Sequence, residues 1–425
     1  MKKIVLLGLL DASNYGDTLI CACTEKIIRG ILKSLGITGI NLVKADMLGE
    51  DYYAYMKKRK KTEAEFKTKI KGLRSANENF LIKYTGEVLE SDELFTEETE
   101  KRHAEKLRRD RAEALDKSAE ASAQKLLDEN TAALIFFGGG LIKYGHPLRL
   151  GYCIAAYIRR AEELGIPVMF SATGVDGFDE EDEECAVMRE VLNLNCVKSF
   201  TVRDDIDTLT EKFISNENIR VKKAPCPTLM CKELFPMGTV KEGNTIGIGV
   251  IRSDKFTTRN EKFTEEYQLD FYKELIEELE KRGYEWKIFT NGHPKDRDFG
   301  VKILTQCGLP VNTDTILPSP QSVHQLLDSY NMFDGIIASR FHVAVPSVSY
   351  NIPFVEFIWN VKQEFFAADA GLADRFTEFG GSGAADVVDR LEKAMKESYT
   401  VSLPTEITVS ELERFIKEYA IDAEC

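Results

Sequence analysis

The chain of 425 residues carries 70 acidic and 56 basic side chains, a formal net charge of −14, and is 43% hydrophobic. This length allows two or three domains, each with its own core. The acidic balance argues against nucleic acid or an anionic membrane as a partner held by bulk charge. An anionic substrate would therefore need a local cluster of cationic side chains.

The amino-terminal apolar run follows two lysines and stops at Asp11, which is too short for a signal peptide, and no small-residue cleavage site follows it. The run instead predicts the buried first strand of an α/β domain. Nine cysteines without a C-x-x-C pair predict reduced thiols and a cytoplasmic location. Five scattered histidines predict no structural metal, and no apolar stretch reaches membrane-spanning length.

Apolar runs typical of buried strands alternate with amphipathic helical patterns along most of the chain. The predicted strands include Lys3–Leu9, Ala133–Phe137, Pro167–Ala172, Ser199–Val202, Thr245–Ile251, Trp286–Thr290, Gly335–Ala338 and Phe354–Ile358. The predicted helices include Gly151–Gly165, Phe271–Lys281 and Val387–Lys396. Strands that alternate with helices predict parallel sheets, so the expected fold class is α/β.

Two segments interrupt this alternation. Residues 46–130 are highly charged and helix-prone, which predicts a helical insertion in the first domain with a solvated face, because its charges are mixed in sign. Residues 222–244 concentrate prolines and glycines immediately before a new strand. We therefore predict two α/β domains, residues 1–235 and 236–425, with the ligand site in the cleft between them.

Two motifs of the first domain follow predicted strands. The sequence NYGD, Asn14–Asp17, stands between the first strand and a helix, where Asp17 is either a site residue or a helix cap. Three glycines, Gly138, Gly139 and Gly140, follow a later strand and allow the backbone to approach a ligand or an adjoining loop. Both motifs are candidate ligand-binding corners.

The second domain places cationic side chains after its strands. Arg252 follows the first strand, and Arg340 and His342 stand in ASRFHVAVPSV at a predicted strand-to-helix corner, where amide groups favour anions. The two arginines are predicted to converge on one anionic ligand, with His342 as a proton donor; a salt bridge is the alternative for Arg252. His293 and Asp296 follow another strand, as site residues or as parts of a turn.

Taken together, these motifs resemble the polysaccharide pyruvyl transferase family. The similar stretches are NYGD, GGGLI, SFTVRDD, IGIGVIR and ASRFHVAVPSVSYNIPFVEFIWNVKQEFF, which span nearly the whole chain except the charged insertion. The resemblance implies two Rossmann-like domains in a GT-B-like arrangement. It also implies transfer of a pyruvyl group from phosphoenolpyruvate to a saccharide, commonly as a ketal that bridges two hydroxyls.

The resemblance also implies roles for individual residues. Arg252, Arg340 and His342 would contact phosphoenolpyruvate, and Lys362 is a weaker correspondence. The two first-domain motifs would lie on the acceptor side, with Asp17 as a candidate base for the acceptor hydroxyl. Phosphoenolpyruvate is the donor substrate and no other cofactor is expected. The acceptor would belong to a cell-surface polysaccharide or its precursor, and a lipid-linked acceptor would require at most peripheral membrane contact.

Two departures from the family pattern and two other functions stay open. Asn360 stands where relatives often carry an aspartate, and the segment after Gly140 lacks an acidic residue that some relatives have. The same architecture serves nucleotide-sugar glycosyltransferases, in which Glu356 would meet a ribose. A non-catalytic scaffold or sugar-binding protein would use the charged insertion as its partner surface.

Overall fold

The structure is a computed structural model that describes residues 1–10, 14–76, 81–84, 87–90, 97–237, 243–397, 401 and 403–421. Its strands are β1 (Lys2–Gly8), β2 (Ile40–Asp46), β3 (Leu81–Tyr84), β4 (Glu87–Glu90), β5 (Thr131–Phe137), β6 (Gly140–Lys143), β7 (Val168–Asp176), β8 (Val197–Val202), β9 (Arg220–Lys223), β10 (Thr245–Gly249), β11 (Glu285–Phe289), β12 (Gly335–Ala338), β13 (Phe354–Ile358) and β14 (Phe376–Glu378).

Helices connect most of these strands. They are α1 (Tyr15–Ser34), α2 (Glu50–Ala76), α3 (Glu97–Leu126), α4 (Leu150–Leu164), α5 (Glu183–Val191), α6 (Ile206–Thr208), α7 (Cys231–Leu234), α8 (Asp254–Arg259), α9 (Glu265–Lys281), α10 (Pro294–Gln306), α11 (Val323–Tyr330), α12 (Phe341–Tyr350), α13 (Val361–Asp369), α14 (Ala384–Lys396) and α15 (Thr405–Phe415). Short 3-10 turns span Pro227–Met230 and Ala373–Arg375, and π-helical turns span Leu209–Phe213 and Ile416–Ala420. No described helix is both long and apolar enough to span a bilayer.

Two parallel sheets form the framework and confirm the predicted α/β class. The first has the order β2-β1-β5-β7-β8-β9, with β6 paired to β7, and the second has the order β11-β10-β12-β13-β14. Strands such as β5 and β7 are almost continuously buried, as expected where helices cover both faces of a parallel sheet. The structure gives β12 and β13 the predicted bounds.

The order of the strands creates two points where the chain reverses direction across a sheet. In the first sheet this switch lies between β1 and β5, and in the second it lies between β10 and β12. Ligands of open α/β sheets bind outside the carboxyl ends of strands at such points. The four strands involved are followed by the NYGD motif, the glycine run, Arg252 and Arg340.

A continuous apolar core joins the two sheets. It includes Leu6 and Ile135 on the first sheet and Ile336 and Phe354 on the second. The final helix, α15, contacts α1, β7 and β8. Residues 405–420 therefore pack with the first domain, whereas the sequence prediction assigned them to the second.

The charged insertion consists of α2 and α3 with the antiparallel β3–β4 pair between them. The solvated face that the sequence predicts holds only for part of it. Leu115 and Ala119 of α3 are buried in the first-domain core, and Ser118 accepts a hydrogen bond of 2.9 Å from the backbone N–H of Tyr52 on α2. The roots of both helices are therefore part of the first domain.

Candidate active site

A cavity of about 700 Å³ lies between the domains at the carboxyl ends of both sheets. Among the described residues, nine lysines and arginines line it against two carboxylates, Asp17 and Asp176. The protein is acidic overall, so this local excess of cations is the feature that an anionic substrate requires. The sequence-predicted site residues that line the cavity are Asn14, Asp17, Gly139, Gly140, Arg252, His293, Arg340, His342 and Lys362.

Gly138 does not line this cavity. Its φ of +45° lies in the left-handed region, and a Cβ at this position would overlap the side chain of Ile20 on α1. The first glycine of the run therefore serves the close approach of β5 to α1. Its two neighbours, Gly139 and Gly140, line the cavity, whereas Gly138 does not.

Asp296 is the protein's own counter-ion for the two predicted arginines. This fully buried carboxylate accepts a 2.5 Å bond from Nε of Arg340 and a 3.1 Å bond from the backbone N–H of Arg252. Nη1 of Arg252 lies 4.0 Å from Asp296 Oδ1. The arginines thus converge on one carboxylate at the start of α10, and Asp296 positions them.

His293 caps the same helix, because its Nδ1 accepts a 3.2 Å hydrogen bond from the backbone N–H of Lys295. The same nitrogen lies 3.8 Å from Asp296 Oδ1. His293 therefore both shapes the turn and lines the cavity, so the two interpretations of this residue are compatible.

His342 is buried where the two domains meet. Its Nε2 lies 3.4 Å from Nη1 of Arg203, and a Cβ on Gly16 would lie 2.7 Å from its Nδ1. Burial, with Arg203, Lys362 and Arg340 nearby, holds the pKa of His342 well below its usual range. This environment favours the uncharged imidazole, and the role of proton donor stays a prediction for His342.

The backbone of His342 is also held in place. Its carbonyl accepts hydrogen bonds from Tyr330 Oη at 3.0 Å and from Asn291 Nδ2 at 3.4 Å. Its φ and ψ of −82° and 25° interrupt the helical geometry of α12. These contacts fix the direction of the ring at the start of the helix.

Arg203, which the sequence reasoning did not single out, is a buried cation of the site. Its Nε and Nη2 have no hydrogen-bond partner among the described residues, although Nε lies 3.5 Å from Asp204 Oδ2. A Cβ on Gly174 would lie 3.1 Å from its Nη2, so this glycine makes room for the guanidinium. The signal was its position directly after β8 in SFTVRDD, the rule that identified Arg252 and Arg340.

Two carboxylates flank the glycine run on the first-domain wall. Asp17 Oδ2 accepts a 2.7 Å bond from Asn14 Nδ2, and Asn14 is the helix cap of α1, so Asp17 is free of that role. Asp176 stands at the end of β7, and a Cβ on Gly140 would lie 2.7 Å from its Oδ2. The predicted strand ended at Ala172, whereas the observed one continues to Asp176, so the sequence did not place Asp176 at a strand end.

Lys362 lies at the start of α13 and is partly buried. Burial, with Arg203 and Lys143 nearby, lowers its pKa to about 8. Its Nζ lies 5.3 Å from the ring centre of Trp359 and 6.0 Å from that of Phe341. Lys362 therefore lies against aromatic rings in the wall of the cavity.

Comparison with known proteins adds to this geometry. A family model described as polysaccharide pyruvyl transferase matches residues 14–360. The chain belongs to this family. It is therefore a transferase of polysaccharide biosynthesis, as the motifs predicted. No curated protein is similar enough in sequence to count as a match.

Solved structures similar to this pyruvyl transferase family member include three UDP-GlcNAc 2-epimerases. The Neisseria meningitidis enzyme bound to UDP-GlcNAc has a TM-score of 0.54 and 12% identity, covering 98% of this chain and 100% of that one. The Methanocaldococcus jannaschii enzyme in complex with UDP-GlcNAc and UDP has a TM-score of 0.53 and 13% identity, covering 98% of this chain and 99% of that one. The Listeria monocytogenes protein, described as a putative 2-epimerase, has a TM-score of 0.55 and 8% identity, covering 98% of this chain and 96% of that one. At these identities the likeness shows the fold alone, two Rossmann-like domains in a GT-B-like arrangement.

Both departures from the family pattern have a local structural answer. Asn360 caps α13, because its side chain accepts from the backbone N–H of Lys362 at 3.0 Å, and asparagine and aspartate cap helices about equally well. At the second departure, Asp176 at the end of β7 faces Gly140 and places a carboxylate at this corner.

Glu356 does not support the nucleotide-sugar alternative. It is fully buried and accepts a 2.6 Å hydrogen bond from Gln363 Nε2. Burial raises its pKa to about 8, and it is not among the residues that line the cavity. A ribose in the cleft would not reach it without rearrangement of α13.

Proposed function

We propose that this member of the family transfers a pyruvyl group from phosphoenolpyruvate to a saccharide of a cell-surface polysaccharide or its precursor, forming a ketal. The observation that carries the proposal is the convergence of Arg203, Arg252 and Arg340 with His342 on one cavity. Phosphoenolpyruvate carries its phosphate and its carboxylate on the same carbon atom, and planar guanidinium groups suit both.

The overall reaction balances without any oxidant or reductant. The two hydroxyls of the acceptor form two C–O bonds to the central carbon of phosphoenolpyruvate, and the bond from that carbon to the phosphate oxygen breaks. One hydroxyl proton ends on the methylene carbon, which becomes a methyl group, and the other leaves with phosphate. The protein must therefore hold two anionic groups and move a proton to carbon.

Arg203 is the donor-binding residue with the most to gain from an anion. Its guanidinium is buried and has unpartnered Nε and Nη2 groups, and a buried donor without a partner costs about 1–3 kcal/mol. A phosphate or carboxylate oxygen would satisfy both groups. Arg340 and Arg252 would bind the second anionic group from the other side, in positions that Asp296 fixes in advance.

His342 and the two carboxylates are the proposed proton-transfer groups. The guanidinium of Arg203 can only donate, so Nε2 of His342 accepts and the ring proton stands on Nδ1. A nearby phosphate favours the charged imidazolium, so we propose that His342 gains its proton only when the donor is bound and then protonates the methylene carbon. Asp17, with Asp176 beside it across the glycine run, would take the proton of the acceptor hydroxyl.

The donor assignment is tested by the thermal stability of the protein with phosphoenolpyruvate and, separately, with UDP-GlcNAc. A ligand at about 100 times its dissociation constant adds roughly 2.7 kcal/mol to the free energy of unfolding. We expect stabilisation by phosphoenolpyruvate in the wild type and in the control variant Arg189→Ala, whose side chain pairs with Glu180 at the surface. We expect none in Arg340→Ala.

Two results would contradict the assignment. Stabilisation by UDP-GlcNAc alone would favour a nucleotide-sugar glycosyltransferase. Undiminished stabilisation of Arg340→Ala by phosphoenolpyruvate would show that the donor binds elsewhere.

The eight cysteines in the described ranges are all free thiols, and Cys23 and Cys231 are unbonded although their Sγ atoms lie 3.7 Å apart. Free thiols at this distance favour a reducing compartment. They support the proposal that the reaction takes place in the cytoplasm.

A further inference from the structure

The charged insertion forms part of the wall of the cavity. Tyr52, Tyr53, Met56 and Lys60 on α2 and Arg111 on α3 all line it, on the first-domain side. These residues stand opposite the arginines of the second domain. The insertion is therefore placed to touch whatever enters from the acceptor side.

Tyr53 is exposed and offers ring surface, whereas Tyr52 is 3% exposed and packs in the first-domain core. The hydroxyl of Tyr52 accepts a 2.8 Å hydrogen bond from Nε of Arg111, and that of Tyr53 donates a 2.9 Å bond to Asp46. With its hydroxyl engaged, the ring of Tyr53 and the thioether of Met56 provide an apolar contact area. Aromatic rings of this kind suit the apolar face of a sugar.

The cations on this side have no carboxylate partner among the described residues, although Arg111 donates to Tyr52. No carboxylate in the described part of the chain lies within 4.0 Å of Arg111 or Lys143, although the other ion pairs of these segments are well defined. Burial, and to a smaller extent the nearby Lys143, Lys255 and Arg111, lower the pKa of His146 to about 4. Like charges held together in a partly closed cavity are costly unless an anion joins them.

The donor does not supply that anion. A phosphate monoester carries about −1.5 to −2 at neutral pH, and in the proposed binding mode its charge and that of the carboxylate are met by Arg203, Arg252 and Arg340. Arg111 on α3 and Lys143 on β6 belong to the first-domain wall, opposite Arg252 and Arg340. They require a second anionic group.

We propose that the saccharide acceptor itself carries an anionic group, a phosphate or a carboxylate, and that Arg111, Lys60 and Lys143 bind it. The ring of Tyr53 then contacts the adjoining sugar. This proposal rests on the proposed pyruvyl transfer, since it assigns the acceptor of that reaction. It gives the insertion a role in acceptor specificity.

The test measures binding by calorimetry to the full chain, with saturating phosphoenolpyruvate present. The probes are galactose 1-phosphate, galacturonic acid and the uncharged methyl galactoside. The wild type is compared with the double variant Lys60→Gln/Arg111→Gln. The control is Lys58→Gln/Arg108→Gln, which removes the same charge from exposed positions of the same two helices outside the cavity.

We expect at least one charged probe to bind the wild type ten or more times more tightly than methyl galactoside. The preference should fall to less than threefold in the cavity variant and stay unchanged in the control. Tighter binding of the phosphate probe identifies a sugar phosphate, and tighter binding of galacturonic acid identifies a uronate. Equal binding of all three probes, or binding of none, overturns the proposal.

The same experiment separates this inference from the proposed function. Phosphoenolpyruvate binding is measured first, on all three proteins, and we expect it to be the same in each. Its absence in the wild type would contradict the donor assignment. A preference for charged probes that vanishes only in the cavity variant would then still establish the anionic subsite, and its persistence in that variant would overturn it.

Discussion

The two walls of the cleft differ in whether their charged side chains have ion-pair partners. On the second-domain wall, Arg252 and Arg340 are already held by the buried carboxylate of Asp296. On the first-domain wall, Asp17 and Asp176 face the glycine run without cationic partners within 4.0 Å in the described residues, and Arg111 and Lys143 stand without carboxylates.

This difference indicates how each wall meets its ligand. A carboxylate that fixes two guanidinium groups prepares them before the donor arrives, so little ordering is left to be done on binding. Side chains without an ion-pair partner keep more freedom to adapt to the acceptor. The second wall is therefore expected to be intolerant of substitution, and the first wall to control which acceptor is used.

The largest effect on the second-domain wall is expected from the removal of Asp296. Asp296→Ala leaves Arg340 and Arg252 without their buried counter-ion, and breaking one side of a buried pair costs about 3–5 kcal/mol. Urea denaturation should show a loss of that order, with weaker binding of phosphoenolpyruvate. The control Asp254→Ala removes a carboxylate that also pairs with Arg252 but is 61% exposed, and it should cost less than about 1 kcal/mol. Equal losses in the two variants would show that the second wall is not prepared by Asp296.

A second variant probes the line where the two walls meet. A Cβ in Gly16→Ala would lie 2.7 Å from Nδ1 and 2.8 Å from Cβ of His342, and overpacking of this kind costs about 1–3 kcal/mol. Gly30→Ala on the same helix, where a Cβ meets nothing within 4 Å, should stabilise the protein by roughly 0.5–1 kcal/mol. Thermal unfolding of both variants gives the comparison, and stabilisation by Gly16→Ala would show that His342 has room to move.

The pH dependence of donor binding sharpens the role of Lys362. Its pKa is lowered to about 8, so the amine loses its charge as the pH rises through 8, whereas the phosphate is already dianionic at pH 7. If only the charged amine assists binding, the dissociation constant of phosphoenolpyruvate should rise about tenfold from pH 7 to pH 9. Lys362→Arg keeps its charge and should flatten this profile. Calorimetry at the two pH values measures the dissociation constant. An equal rise in both proteins would show that Lys362 does not contribute to donor binding.

The same shift predicts the sign of a stability effect. Because the folded-state pKa of Lys362 is lower than that of the unfolded chain, the unfolded state binds more protons between about pH 8 and pH 10. This group therefore destabilises the native state below pH 8 and ceases to do so as the pH rises. Lys362→Met should lose that component of the pH profile.

The smallest expected effect is at Asn360, where the family pattern is broken. Asn360→Asp should change the free energy of unfolding by less than about 0.5 kcal/mol, because both residues cap helices well. Asn360→Ala should cost roughly 0.5–2 kcal/mol. Denaturant titration measures both, and unaltered donor binding in Asn360→Asp would show that this departure does not separate the chain from its family.

The positions of the site residues were predictable to the extent that they follow strands. The rule that ligands gather at the carboxyl ends of parallel strands located Arg252, Arg340 and the NYGD motif, and the structure brings all of them to one cavity. The same rule, applied to every strand, would also have found Arg203 after β8 and Asp176 at the end of β7.

Other features could not be derived from spacing. Whether Gly138 meets a ligand or a helix depends on how α1 crosses β5. In the structure, Gly138 meets the side chain of Ile20 on α1. Whether Arg340 meets a substrate or a carboxylate depends on Asp296, which is 44 residues away in the chain. The insertion's contribution to the cavity depends on the angle at which α2 and α3 leave the first sheet.

The sequence by itself determined the fold class, the family and the order of the charged corners, because apolar periodicity and local motifs record how each segment is buried. Only the tertiary structure decided which charges are paired. Pairing in a buried site depends on distances of a few ångströms between segments far apart in the chain, and desolvation makes those distances set both the counter-ion of Arg340 and the uncharged state of His342.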